Sequence, residues 1–162
     1  VSAGARLAGM RQVEAALARA SAEAGLVPPG LAVAIEAVAP GDLDAEALGA
    51  GTALAGVPVI PFVSAVRKRL PLDLEPAFHK GATTQDIADT ALVLQMRAGF
   101  DLIARDCPAV IAGFARLSAA HRATPCIGRP FGQNSCPYPF GYKAVTWALG
   151  FAVDLGQLPV LP

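Results

Sequence analysis

Leu92, Met96, Phe100, Ile103, Cys107, Val110, Phe114 and Leu117 recur at intervals of three or four residues without a break in phase. That spacing lays every one of them on the same face of an α-helix. The stripe predicts one helix of about ten turns, from near Thr84 or Ile87 to about Ala120. Pro108 stands inside it, where a proline removes one backbone hydrogen bond and crowds the preceding turn at a cost of about 3 kcal/mol, so a kink is expected there. His121 and Arg122 bring positive charge to the C-terminal end, and Thr124-Pro125 is a hard stop. In that setting His121 reads as a cap rather than a catalyst. A chain built around such an element is all-α.

The remaining segments read the same way. Leu7, Met10, Val13 or Glu14, Leu17, Ala20 and Ala24 keep helical spacing until Gly25 and Pro28-Pro29 end the element. A short helix follows Pro29, Asp42 or Asp44 caps a third that runs through Leu48, and Pro58 opens a fourth through Leu70. Pro71 to Ala77 reads as a loop. Trp147 and Phe151, one turn apart after Lys143, mark the core face of a last helix. Ala47 to Val66 carries no charge, but Gly49, Gly51, Gly56, Pro58 and Pro61 break it into two short helices, so no membrane span is expected. No strand alternation of convincing length is present.

Immediately ahead of the long helix stands Phe78-His79-Lys80-Gly81-Ala82-Thr83-Thr84-Gln85-Asp86, a His, two hydroxyls, an amide and a flexible Gly in one turn. Thr83 and Asp86 have capping-box spacing, which starts the helix near Thr84. Free N–H groups and the positive end of the helix dipole favour a carboxylate or phosphate at such a start, and the Thr hydroxyls add donors. A capped helix after a Gly turn explains the same residues without any ligand.

Composition narrows the function classes. Thirteen basic and 13 acidic residues in 162 leave no electrostatic footprint for nucleic acid, and Arg67-Lys68-Arg69 reads as the basic last turn of a helix. The 16% charged fraction is low for a free-standing surface, so much of it is expected to meet another chain. Three Cys, at 107, 126 and 136, have neither metal-ligand spacing nor an even count, which predicts reduced thiols in a cytoplasmic protein. The start Val1-Ser2-Ala3-Gly4-Ala5-Arg6 lacks a signal-peptide pattern. With no glycine-rich nucleotide loop, nucleophile elbow or His-Glu-x-x-His motif, neither a cofactor nor a metal is expected, and the chemistry left is acid/base.

His79-Lys80-Gly81-Ala82-Thr83-Thr84-Gln85-Asp86-Ile87-Ala88-Asp89-Thr90-Ala91 resembles the first signature of the fumarase/aspartase superfamily, in the form of its 3-carboxy-cis,cis-muconate cycloisomerase branch. Gly128-Arg129-Pro130-Phe131-Gly132-Gln133-Asn134-Ser135-Cys136-Pro137, followed by Phe140-Gly141-Tyr142-Lys143, is similar to the second signature at the family's spacing. The likeness extends over nearly the whole chain, including Arg11-Gln12-Val13-Glu14 and Gly56 to Pro61. The adenylosuccinate lyase branch has a His near Val57, and its absence favours the cycloisomerase branch.

The resemblance implies a small helical N-terminal domain over 1–77 and the start of a central helical bundle over 78–162. It also implies a homotetramer with sites shared between subunits, acting on a small di- or tricarboxylate. Such enzymes make or break a bond beta to a carboxylate, which needs donors for the carboxylate and a base for the carbon-bound proton. Carried over residue by residue, Thr83, Thr84 and Gln85 fall where the family binds substrate carboxylate. His79 falls on a His that contributes to the site, Gln133 lies beside the catalytic position, and Asn134 occupies that position. The family has a His there. Asn donates and accepts hydrogen bonds but exchanges no proton near neutral pH. Pro130 stands in place of Thr, and the third signature, a flexible Gly-Ser-Ser-type loop, has no counterpart, so the chain reads as an N-terminal-half portion of a larger enzyme. A related lyase of adenylosuccinate or argininosuccinate type and a non-catalytic helical assembly module stay open beside the cycloisomerase.

Overall fold

A computed structural model describes residues 2–157. Among the described residues there are six α-helices: α1 (Ala3–Glu23), α2 (Leu31–Ala37), α3 (Ala45–Ala55), α4 (Val59–Arg67), α5 (Thr84–Ala120) and α6 (Phe140–Gln157). One antiparallel pair of three-residue strands, β1 (Pro125–Ile127) and β2 (Pro137–Pro139), accompanies them. The chain separates into two compact units, Val1–Ala98 and Gly99–Pro162. No described helix is long and apolar enough to cross a membrane.

In the first unit each boundary has a local cause. Ser2 Oγ accepts from the Ala5 N–H at 3.1 Å and opens α1. The helix closes where Gly25, at φ 73°, lets the Leu26 N–H reach Ser21 O and the Gly25 N–H reach Ala22 O, the paired bonds of a Schellman motif. Asp44, rather than Asp42, caps α3, with Oδ1 accepting from the N–H groups of Glu46 and Ala47 at 3.0 and 3.1 Å. Gly56, at φ 75°, ends α3, and Pro58 leads into α4. The uncharged stretch is therefore two helices, as the glycines and prolines require. Met10, Leu31, Ile35, Phe62, Val66, Phe78 and Ile87 form the core. Arg11 ties α1 to the end of α2 by donating to Glu36 O at 2.7 Å and Val38 O at 3.1 Å.

Helix α5 starts at a reciprocal cap. The Asp86 N–H donates to Thr83 Oγ1 at 3.4 Å, while the Thr83 N–H and hydroxyl both donate to Asp86 Oδ2 at 2.8 Å. These bonds hold the Asp86 carboxyl below its ordinary 3.8. The helix then runs for 37 residues with Pro108 inside it; the one donor that proline removes does not end an element whose other turns are paired. It stops at Ala120, ahead of the His121 and Arg122 turn.

In the second unit, α6 lies against the end of α5 through small residues, with Gly141, Ala144 and Ala148 buried. A Cβ on Gly141 would stand 2.5 Å from Ser118 O and 2.9 Å from Arg122 Cα, so only glycine fits there. The aromatic pair expected to face the core does so only at its edge. Trp147 meets Phe114 tilted and Phe151 stacks on it, with ring centroids 5.5 and 6.0 Å away, yet they keep 43% and 40% of their surface exposed. Gly141 takes the close approach to Ser118 and Arg122, Ala144 and Ala148 are buried on the same helix, and the larger side chains stay partly exposed. His121 sits in the turn, its Nδ1 3.2 Å from Thr124 Oγ1 and its ring edge-on to Phe140.

Two expectations follow. Gly141→Ala should lower stability by about 1–3 kcal/mol through overpacking, whereas Gly150→Ala on the same helix, with nothing within 4 Å of its Cβ position, should raise it by up to about 1 kcal/mol; urea unfolding of the two variants checks the contrast. Thr83→Ala should cost about 0.5–2 kcal/mol as a lost cap. Because Asp86 is depressed, its contribution is present above pH 3.8 and is lost as pH falls through its folded value. An NMR carboxyl titration should find Asp86 moved only part of the way back toward its ordinary range in Thr83→Ala, because the backbone N–H of residue 83, the larger cause, still donates to it.

Candidate active site

The loop between α4 and α5 carries the first group of candidate residues. Phe78, 2% exposed, anchors it in the core, and His79 and Gly81 turn it with φ values of 57° and 89°. A left-handed conformation suits Gly81 but costs a side-chain-bearing residue such as His79 about 1–2 kcal/mol. The surroundings hold His79 there. Its Nδ1 lies 2.5 Å from Oε1 of Glu14, a residue of α1 that is 1% exposed. Burial pushes the Glu14 carboxyl above the usual carboxylate range, while the bond to His79 and the charges of His79 and Arg67 pull it back.

Two of the cavities in this unit reach Thr84. One, of about 330 Å³, is walled by Ile60, Val63, Ser64 and Arg67 of α4 together with His79 and Thr84. The other, of about 430 Å³, lies between Arg6 of α1, the Gly56–Val59 turn and the first turns of α5, where Thr84, Gln85, Asp89 and Gln95 face it. Thr84 lines both. The helix itself supplies no acceptors for the N–H groups of its first turn, so the walls combine a hydroxyl, backbone donors and a helix N-terminus. Arg67 adds a guanidinium whose Nη2 donates to Phe78 O at 3.4 Å and whose Nε has no hydrogen-bond partner but stands 3.9 Å from Glu75 Oε1, an ion pair.

His79 and Thr84 thus share a cavity. Thr83 is exposed and spends its hydroxyl on the cap, and Gln85 donates from Nε2 to Asp89 Oδ1 at 2.6 Å along its own helix. Gln133 and Asn134 belong to the second unit and are exposed on the loop joining β1 to β2. That loop is shaped by a short 3₁₀ turn, Pro130–Gly132, in which Phe131 and Gly132 take φ values of 50° and 76°. Bonds from the Ser135 N–H to Gly128 O at 2.8 Å and from the Gly128 N–H to Cys136 O at 3.3 Å close its base.

Glu14 and Arg67 were not among the residues that the sequence marked for the site. Glu14 had one visible signal: it is a carboxylate standing on the apolar face between Met10 and Ala18, where a charge needs a partner. Arg67 gave none, since a basic residue in a last helical turn is explained by the dipole alone.

Comparison with known proteins identifies the family. The family described as lyase matches residues 3–161. The chain is 42% identical to 3-carboxy-cis,cis-muconate cycloisomerase of Pseudomonas putida over 85% of its own length and 34% of that protein's. It is 41% identical to nitrosuccinate lyase of Streptomyces davaonensis over 91% of its length and 32% of that protein's. The solved structure of the 3-carboxy-cis,cis-muconate lactonizing enzyme from Pseudomonas putida matches with a TM-score of 0.85 at 38% identity, over 96% of this chain and 36% of that one. The chain therefore spans about a third of the length of the curated relatives it matches. The match over residues 3–161 and the shared helical fold show that the chain belongs to the lyase family, within the fumarase/aspartase superfamily.

Proposed function

We propose that the chain supplies the carboxylate-binding portion of a cycloisomerase that interconverts 3-carboxy-cis,cis-muconate and a carboxy-muconolactone, a reaction of aromatic-acid breakdown in the cytoplasm. The observation that carries the reading is the cavity shared by His79, Arg67 and Thr84 at the start of α5. It stands in a chain 42% and 39% identical to two such cycloisomerases.

In lactone formation a carboxylate oxygen adds to a double bond, forming C–O, and a proton is delivered to the carbon alpha to a second carboxylate; the reverse removes that proton and breaks C–O. Negative charge builds on the second carboxylate in the transition state. Thr84, the first-turn N–H groups of α5 and Arg67 are donors of the kind that stabilise it. Thr83 contributes by fixing where the helix begins, and Gln85 and Gln133 are further polar contacts for the substrate. His79 is a group able to carry a proton. Asn134, in the position that the resemblance assigns to acid/base work, hydrogen-bonds without exchanging one.

A second reading, elimination from a substituted succinate, is favoured by the relatives nitrosuccinate lyase and N-acetyl-S-(2-succino)cysteine lyase, at 41% and 35% identity. It uses the same carboxylate donors. A non-catalytic assembly role is the reading that Asn134 itself favours.

In a form spanning the full length of the relatives, Asn134→His should raise the lactonisation rate by about 100- to 10,000-fold, the range for a positioned acid or base. Thr84→Ala should raise KM by roughly 10- to 100-fold through one lost hydrogen bond to a charged group. An unsubstituted enzyme already as fast as the Asn134→His variant would remove the proton-transfer role from this position, and turnover of nitrosuccinate alone would favour the second reading.

Homotetramer formation belongs to the same proposal. Leu92, Met96 and Ile103 of the α5 stripe are 52%, 49% and 51% exposed, an apolar surface of the kind that chains cover by association. Light scattering should find a concentration-dependent oligomer, and a well-behaved monomer at high concentration that binds no hydrophobic dye would refute it.

A further inference from the structure

We propose that Glu14 is a positioning residue of the candidate site: its buried carboxylate holds the His79 imidazole in one tautomer, with Nδ1–H toward Glu14 and Nε2 left for the cavity that Ser64, Arg67 and Thr84 line. The inference rests on the carboxylate-lyase reading of that cavity and adds to it a residue from α1 that lies outside both signatures.

Three observations carry it. First, the contact is short and dry: Nδ1 to Oε1 is 2.5 Å, the Glu14 side chain is 1% exposed and the His79 side chain 16%. A carboxylate on one ring nitrogen decides which nitrogen keeps the proton. Second, Glu14 is poorly explained as a structural residue. Its other oxygen, Oε2, is buried without a hydrogen-bond partner, and an apolar side chain would fill such a place at least as well. Met10 and Ala18, one turn to either side, are buried apolar residues of the same face. Third, the backbone of His79 is held at φ 57°, so the ring is aimed by a strained conformation that the bond to Glu14 helps to secure.

The charged groups around the pair fit an anionic ligand. From α4, Arg67 acts on Glu14 electrostatically and lines the cavity with His79. From the loop, Lys80 joins His79 and Glu14 around a small crevice that Leu17 and Ala18 of α1 also line. Burial, the largest influence, favours a neutral Glu14, and His79 and Arg67 favour its charged form; in either form an unprotonated oxygen can accept from Nδ1–H. A single oriented nitrogen can then give or take one proton at a bound carboxylate substrate, whereas a freely turning imidazole would present either.

Nitrogen chemical shifts of isotope-labelled histidine test the assignment in the whole chain, which has 2 histidines, so that His121→Gln identifies the His79 signals. At a pH where the ring is neutral, His79 should show a protonated Nδ1 and a bare Nε2, and Glu14→Gln should move it to a mixture or to protonated Nε2. His79 with Nε2 protonated in the unsubstituted chain overturns the proposal, and so does an unchanged tautomer in a folded Glu14→Gln variant. Should that variant fail to fold, the unsubstituted spectrum decides alone. Tricarballylate, a tricarboxylate probe, should shift the bare Nε2 signal. A protonated Nδ1 that is lost in Glu14→Gln, with no response to tricarballylate, would support the pair and count against the carboxylate reading of the cavity.

Discussion

A carboxylate placed inside a helical core has to be answered by something, and in the first unit the answer to Glu14 is His79. The pair is 2.5 Å apart, and because Glu14 rides on α1 while His79 closes the turn before α5, one contact sets the entry to the candidate site against the packed helices. Remove the partner and a buried charge stands alone, a loss that in other proteins runs to about 3–5 kcal/mol. The loop geometry follows from this constraint: Phe78 is driven into the core, His79 is turned left-handed, and Gly81 supplies the second left-handed residue that brings the chain round to Thr83.

From that point local chemistry takes over. The cap between Thr83 and Asp86 decides the residue at which α5 begins, and so which side chains of its first turn face the cavities. Thr83 spends its hydroxyl on the cap and Thr84 does not, so two adjacent threonines have different work. The distinction matters for chemistry: a hydroxyl engaged with Asp86 is a weaker candidate for a substrate carboxylate than one lining two cavities.

Most element boundaries were legible in the residues, because each is set by a short-range rule. Asp44 with the N–H groups of Glu46 and Ala47, Gly25 with its paired bonds, and Gly56 followed by Pro58 all act within four residues of themselves. The stripe from Leu92 to Leu117 likewise announced α5, whose run through Pro108 shows how little one missing donor weighs against ten turns of pairing. What the residues left hidden depends on contacts distant in sequence. Glu14 and His79 are 65 positions apart, and the packing of Gly141 against Ser118 and Arg122 appears in no local pattern. The short strands at Pro125–Ile127 and Pro137–Pro139 offer too few residues for an alternation to be read.

Asn134 sharpens the difference between recognising a substrate and transforming it. Binding a carboxylate needs donors, and in the proposed site these come from the start of α5, independently of the hairpin of the second unit. Moving a proton needs a group with two accessible protonation states, which an amide lacks. A histidine-to-asparagine difference keeps hydrogen bonding while removing a titratable group, so on the proposed reading binding and proton transfer separate between the two signatures. His79, in contact with Glu14, is a titratable side chain that lines the same cavity as Ser64, Arg67 and Thr84.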